Sequence, residues 1–244
     1  GDGILHHYVI TADRSGNIIF YRDGSSWSTK DISGTSSNNM RPLRYFGAYR
    51  GSSGFASMKI FNEVASWSSV LTSAEVQAIF NDGIALDVSS DSGNYESSGD
   101  LTGYWRNDGA STWEDRSTND NHGTPAGSPD TLLLPEGTTA GKDILGFPLT
   151  HTNNGWLNLG LEDYVTTQKS SVFNFGTGSF SVDGWLKKNG NPSDDEAFLY
   201  CGLTATGGRV NMYITSAGKL SFRVDEGTHD STVSTDNTGW CDGS

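Results

Sequence analysis

Basic residues are scarce in this chain. It carries 16 lysines and arginines against 29 aspartates and glutamates, a net charge of −13 over 244 residues. That balance lacks the basic patch on which a nucleic-acid backbone or an anionic membrane would dock, so neither is an expected partner. Long apolar runs are missing too. None approaches the roughly 20 residues that span a bilayer, and no membrane insertion is expected. Cysteine is limited to Cys201 and Cys241. Two thiols exclude a disulfide-dense scaffold, and no cysteine–histidine cluster has zinc spacing. They either pair, if their strands are neighbours, or sit apart as small hydrophobes. No Gly-x-Ser-x-Gly nucleophile turn is present. His6 and His7 are adjacent, which on a strand sends them to opposite faces and makes them poor joint ligands; His122 and His151 are isolated. The chain opens at Gly1, with no methionine or leader-like segment, and a fragment or processed product is expected.

Turn formers and aromatics are abundant instead. There are 31 glycines, 7 tryptophans, 9 tyrosines and 11 phenylalanines, with only 18% charged residues. This suits a folded all-β protein with many turns and a substantial core. Residues 7–12 read as a strand, Ser15-Gly16-Asn17 as a turn, and 18–21 as the return strand closed by Arg22-Asp23-Gly24. Residues 25–41 read as a polar loop, 43–49 as a strand and 51–54 as a turn. Residues 59–67 form a strand that runs into the chain's one clear helix. Thr72 and Glu75 make a capping box, Leu71 and Val76 a hydrophobic staple, and Asn81-Asp82-Gly83 the stop. Two turns are too few to stand alone in water, so the face of Val76, Ile79 and Phe80 must lie on a sheet. Residues 84–100 read as a linker or extended surface strand. Strands follow at 103–106, 155–165, 179–187, 197–203, 209–215 and 219–224, with a long loop at 107–130. The expected fold is an all-β jelly-roll β-sandwich with one short helix.

Several motifs carry a family resemblance. Glu63-Val64-Ala65-Ser66-Trp67, Leu71-Thr72-Ser73-Ala74-Glu75-Val76 and Ile79-Phe80-Asn81-Asp82-Gly83 resemble the C-terminal signature of the laminin-G-like, concanavalin-A-like sandwiches. His6-His7-Tyr8-Val9 resembles their "WHHVA" strand, with Leu5 in place of the usual tryptophan. The stretch 173–185, FNFGTGSFSVDGW, resembles their N-terminal strand, and 115–123 their "DSSGNGNHG" loop. The order is inverted: residues 1–83 match the C-terminal half of the pattern and 101–244 the N-terminal half. The resemblance therefore implies a circularly permuted sandwich or one period of a tandem array, whose halves pair within one chain or between chains. It implies fold more than function, since such sandwiches serve as lectins, glycosidases and scaffolds.

The candidate chemistry is sparse. A glycosidase needs two carboxylates about 5–10 Å apart. Glu162-Asp163, Asp194-Asp195-Glu196 and Asp225-Glu226 are adjacent pairs that point to opposite faces and read as solvated acids. Asp108, Asp115, Asn119, Asp120 and Asn121 gather hard oxygen donors in one loop. They read either as calcium ligands or as turn residues bonding their own backbone. Trp27, Tyr95, Trp113 and Trp156 sit in polar or glycine-rich contexts, as a glycan platform requires, whereas Trp67, Trp105 and Trp185 belong in strands and the core. The expectation is a non-catalytic module for assembly or adhesion on an extracellular or virion surface, with copies of itself or neighbouring modules as partners. The alternative is a lectin-like module reading a cell-surface polysaccharide with Ca2+. An enzyme of the jelly-roll glycosidase kind comes last.

Overall fold

The computed structural model describes residues 2–37, 39–40, 43–48, 60–106, 113–127, 130–133, 155–158, 163–167, 173–189, 195–201, 209–225 and 230–235. Two antiparallel sheets dominate them. The larger holds β1 (Asp2–Ala12), β2 (Asn17–Arg22), β3 (Ser25–Asp31), β5 (Ile60–Trp67), β6 (Leu101–Arg106), β7 (Glu114–Asp115), β9 (Asp130–Leu133), β10 (Gly155–Asn158) and β12 (Phe180–Asn189). Its order is β3-β2-β1-β12-β5-β10-β9, with β6 also pairing β5 and β7. The smaller holds β4 (Leu43–Phe46), β8 (Gly123–Ala126), β11 (Tyr164–Thr167), β13 (Glu196–Cys201), β14 (Arg209–Ile214), β15 (Leu220–Asp225) and β16 (Asp230–Ser234), in the order β16-β15-β14-β13-β4-β11-β8. The fold is an all-β sandwich with one short helix.

Period-2 alternation decides which residues meet between the sheets. Tyr8, Ile10 and Ala12 of β1, Ile18 and Phe20 of β2, and Phe180, Val182 and Leu186 of β12 face Val210, Met212 and Ile214 of β14 and Leu220, Phe222 and Val224 of β15. Both sheets mix strands from before residue 84 with strands from after residue 100. The mixing does not run through residues 4–12 and 219–225. Those segments lie in different sheets, and β1 pairs β12 instead.

The outer face of the larger sheet is also buried. Helix α1 (Ser73–Phe80) lies on it, with the expected capping box between Thr72 and Glu75 and a left-handed Asn81 at its end. Val76 and Ile79 join Leu71, Val9, Tyr21, Ala65, Trp67, Leu101 and Tyr104 in a second apolar cluster. Residues 84–100 are a strap over this cluster rather than a free linker. Val88 and Tyr95 are buried in it, and the Trp67 indole donates to Tyr95 Oη, which donates to the Val88 carbonyl. Glu75 holds strap to helix. Burial would raise its carboxyl, but bonds from Ser97, Thr72 and the Glu96 N–H outweigh that and leave it below the usual value.

The β2–β3 turn anchors the helix's far end. Asp23 and Gly24 both have positive φ, 50° and 76°, the geometry of a two-residue hairpin that matches strand twist. A Cβ on Gly24 would sit 2.9 Å from Phe80 Cδ1. Phe80 in turn lies over His7 and Trp185.

Three expectations differ from what is found. Residues 25–31 are strand, not loop; an edge strand facing solvent has no apolar alternation to betray it. Residues 155–165 divide into β10 and β11, which belong to different sheets. The long loop at 107–130 contains the short strands β7 and β8. Cys241 lies outside the described residues.

Gly24→Ala should cost about 2–3 kcal/mol in urea unfolding, from the left-handed backbone and the clash with Phe80. In a Phe80→Ala background the same change should cost measurably less, because the ring contacts are gone and only the backbone part and the 3.2 Å contact with the Cβ at 80 remain.

Candidate functional site

Chemistry-bearing side chains gather in three places. The first lies beneath α1 and the strap. β5 carries a bulge: Asp183 opposes Ala65 and Trp185 opposes Asn62, so Gly184 faces both Glu63 and Val64. Glu63 takes a φ of +50°, a conformation non-glycine residues adopt seldom and at functional or over-determined positions. The Asp183 carboxylate accepts the Ala65 N–H at 2.8 Å through Oδ1 and meets His7 Nε2 at 3.1 Å through Oδ2. A carboxylate only accepts, so the His7 proton sits on Nε2; Nδ1 has no hydrogen-bond partner among the described residues. Burial raises the Asp183 carboxyl above its usual value, opposed only in part by His7 and the Ala65 N–H. Beside it, Glu63 accepts from the Tyr104 hydroxyl and from Arg106 Nε at 3.0 Å, and Arg106 Nη1 reaches Asp87 at 3.5 Å. Burial, then the Glu63 charge, pushes the Tyr104 phenol well up. Burial would lower Arg106, but the Glu63, Tyr104 and Asp87 charges and the Glu63 bond leave it raised. His7 is 0% exposed and Glu63 3% exposed, so these groups can tie strands together but cannot reach a solute.

The second place is the loop after β6. Asp115 is buried, and its carboxylate accepts three backbone N–H groups: Tyr104 and Ser117 on Oδ1, Asn121 on Oδ2. Asn119 turns its amide nitrogen to the Leu101 and Thr102 carbonyls, and Asn121 is buried with its carbonyl bonded to the Trp105 indole. Asp120 adopts a left-handed φ of 52°, as a turn requires. Asp108 lies outside the described residues. The described donors therefore do not fit calcium. The key carboxylate is already filled by amides, and among the described residues no three His, Cys, Asp or Glu side chains gather as a metal group. The loop takes the turn-forming alternative, and it staples β6 to β7.

Among the described side chains, the aromatic platform narrows to Trp27. Tyr95 is 0% exposed and Trp113 2%, both interior, so neither offers a ring face to a sugar. Trp156 is in β10, and its side chain lies outside the described residues. Trp27 remains. It is half-buried on the edge strand β3, packed against the intersheet core. Arg22 lies over its ring at 6.0 Å. Arg22 Nη2 is 2.7 Å from His6 Nε2, and His6 Nδ1 is 2.7 Å from Asp23 Oδ2. Burial would raise Asp23, but the His6 bond and charge, the His7 N–H and Arg22 together hold its carboxyl below the usual range. This third place reaches solvent too, with the Asp23 side chain 35% exposed. Sequence reasoning named Trp27 but not its neighbours; the Arg-Asp-Gly turn beside His6 was the available signal.

Of the paired acids, Asp163 is buried and Asp195 accepts the Ser216 N–H. Glu162, Asp194 and Glu226 lie outside the described residues. No family model matches the chain, and no curated protein or solved structure does so either.

Asp115→Ala should lower stability by about 3 kcal/mol or more, since three amide donors lose their acceptor, while calcium or EDTA leaves the thermal midpoint of the native protein unchanged. Asp23 should also show in acid. Its folded pKa is depressed, so its contribution is complete above the ordinary value of 3.8 and is lost as pH falls through the lower folded value. Asp23→Asn should flatten that part of the stability–pH curve measured by denaturant unfolding.

Proposed function

We propose that this protein is a non-catalytic β-sandwich module that works by contact, in assembly or adhesion on an extracellular or virion surface, with copies of itself or neighbouring modules as partners. One observation carries the reading: the ionisable groups best placed for chemistry, His7, Asp183, Glu63, Tyr104 and Arg106, lie beneath α1 and the strap and are engaged in holding strands together. The motif resemblance to laminin-G-like sandwiches supports the same class, as does the acidic, turn-rich composition.

A second reading has its own observation. Trp27, with Arg22, His6 and Asp23 beside it, combines an accessible ring with hydrogen-bonding groups, the elements of a polysaccharide contact. Calcium through the 115–121 loop is not part of it.

Sedimentation velocity over a range of concentrations, with retention on a panel of surface polysaccharides, tests both. Reversible self-association, or retention without release of reducing ends, is expected. Steady release of reducing sugar would overturn the non-catalytic reading. Retention that survives Trp27→Ala unchanged would remove the second.

A further inference from the structure

The surroundings of the His7–Asp183 pair decide where an added proton goes. With Asp183 as a carboxylate, the one proton between them is on His7 Nε2, 3.1 Å from Oδ2. Asp183 Oδ1 already accepts the Ala65 N–H at 2.8 Å. His7 Nδ1 has no hydrogen-bond partner among the described residues, and His7 is fully buried. A second proton has two resting places, and both lead to this nitrogen. On the imidazole it forms Nδ1–H directly. On Asp183 Oδ2 it would face the Nε2 proton, so the ring must give that one up and carry its own at Nδ1. Burial raises the Asp183 carboxyl above its ordinary 3.8, against the His7 and Ala65 bonds, so the pair takes up this proton before an exposed aspartate does.

The surroundings of the imidazole are aromatic. Phe80 stacks on it with centroids 6.1 Å apart and 18° between planes, and Trp185 lies at 5.1 Å. Phe80 and Trp185 also stack on each other at 6.0 Å. Trp185 is buried, but Phe80 is only half-buried and ends α1. Beyond it the chain turns through Asn81 and Asp82, both left-handed, with φ of 46° and 54°. The described charged and titratable groups that meet the pair are few. From the β2–β3 turn, Asp23 Oδ1 accepts the His7 backbone N–H at 3.0 Å. From the strap, the Tyr95 phenol feels the Asp183 charge. From β5, Ala65 brings its N–H, while Glu63 is bonded to Tyr104 and Arg106. Helix α1 brings the Phe80 ring, which has no acceptor for an N–H.

We propose that the His7–Asp183 pair is an acid trigger for the end of α1, and that its second proton lifts Phe80 off the sheet. The proton comes from water and forms one new N–H bond at Nδ1. The contact with Asp183 gains charge, so the strands beneath stay joined. The new N–H is buried without an acceptor, a state that costs free energy until water reaches it. Phe80 is the half-buried ring over the imidazole, so it is the one that moves aside, turning about Asn81 and Asp82. The device is independent of the contact reading, and no outcome of the retention experiments bears on it.

Long-range proton–nitrogen NMR of the 15N-labelled protein, titrated from about pH 8 to about pH 4, follows the His7 ring. The Nε2–H tautomer is expected at the start, and a second proton at Nδ1 as the pH falls. Over the same titration, protection of the Phe80 and Asn81 amides against hydrogen exchange, corrected for intrinsic rates, should fall at least about tenfold, while the Ala65 amide keeps its protection. In His7→Gln, which retains a donor for Asp183 but gains no proton, the helix end should not respond. Phe80→Ala gives the reciprocal reading without relying on that variant: with the ring gone, His7 should bind its second proton about tenfold more tightly or more. An Nδ1–H tautomer at pH 8, or no proton uptake by the ring down to pH 4, would overturn the trigger. So would uptake that leaves Phe80 and Asn81 protected, or an unchanged proton affinity in Phe80→Ala.

Discussion

The larger sheet depends on one carboxylate. The bulge at Glu63 and Val64 breaks the ladder between β5 and β12, and Asp183 supplies the acceptor that the Ala65 N–H needs. Its second oxygen takes His7, so a single side chain joins β1, β12 and β5 at the middle of the sheet. A buried carboxylate of this kind needs hydrogen-bond donors in place of water, and a cover to keep water out. Helix α1 and the strap do this. The cover and the charge are therefore one device: the helix is too short to persist alone, and the carboxylate is too polar to lie bare beneath it.

The same bulge aims Glu63 at Tyr104 and Arg106, so two ionic clusters lie under one cap. They differ from the Trp27 cluster in kind. Beneath the cap, the Asp183 and Glu63 carboxylates are held by neighbours from other strands. At the hairpin edge, Arg22, Asp23 and His6 bond one another in a part-buried cluster. Strand edges are where a sandwich can change contacts without disturbing its core.

Legibility in the sequence followed the range of the interactions. The capping box, the staple and the Asp23-Gly24 turn are local, and each was readable from a few consecutive residues. The alternation of β1, β12, β14 and β15 was readable because one face is uniformly apolar. The edge strand β3 was not, since a strand paired on one side leaves most of its side chains wet and patternless. Residues 84–100 read as a linker or extended surface strand for a related reason: Val88 and Tyr95 are too few and too irregularly spaced to announce the burial that the Trp67–Tyr95–Val88 chain of bonds shows. In the candidate sites, Trp113 and Tyr95 looked exposed because their neighbours in sequence are polar, whereas their neighbours in space are not. The pairing of Asp183 with His7, 176 positions apart, had no local signal.

Gly184 leaves its mark beyond the bulge. With no side chain opposite Val64, a cavity of about 20 Å3 remains between the sheets, walled by Val64, Val182, Leu186, Phe198 and Met212. Its size would admit a water molecule, but its walls offer almost nothing to bond one, so it is a dry void. Empty space held by a fold is released when the fold opens, and hydrostatic pressure favours the smaller volume. The centre of the larger sheet thus holds a compressible point directly across the backbone from the Asp183 carboxylate. An alanine at 184 would fill part of that void only by pressing on Val64, whose Cγ2 lies 3.3 Å from where the new methyl would stand. The sandwich keeps its soft spot because the bulge that creates it also sets the carboxylate in place.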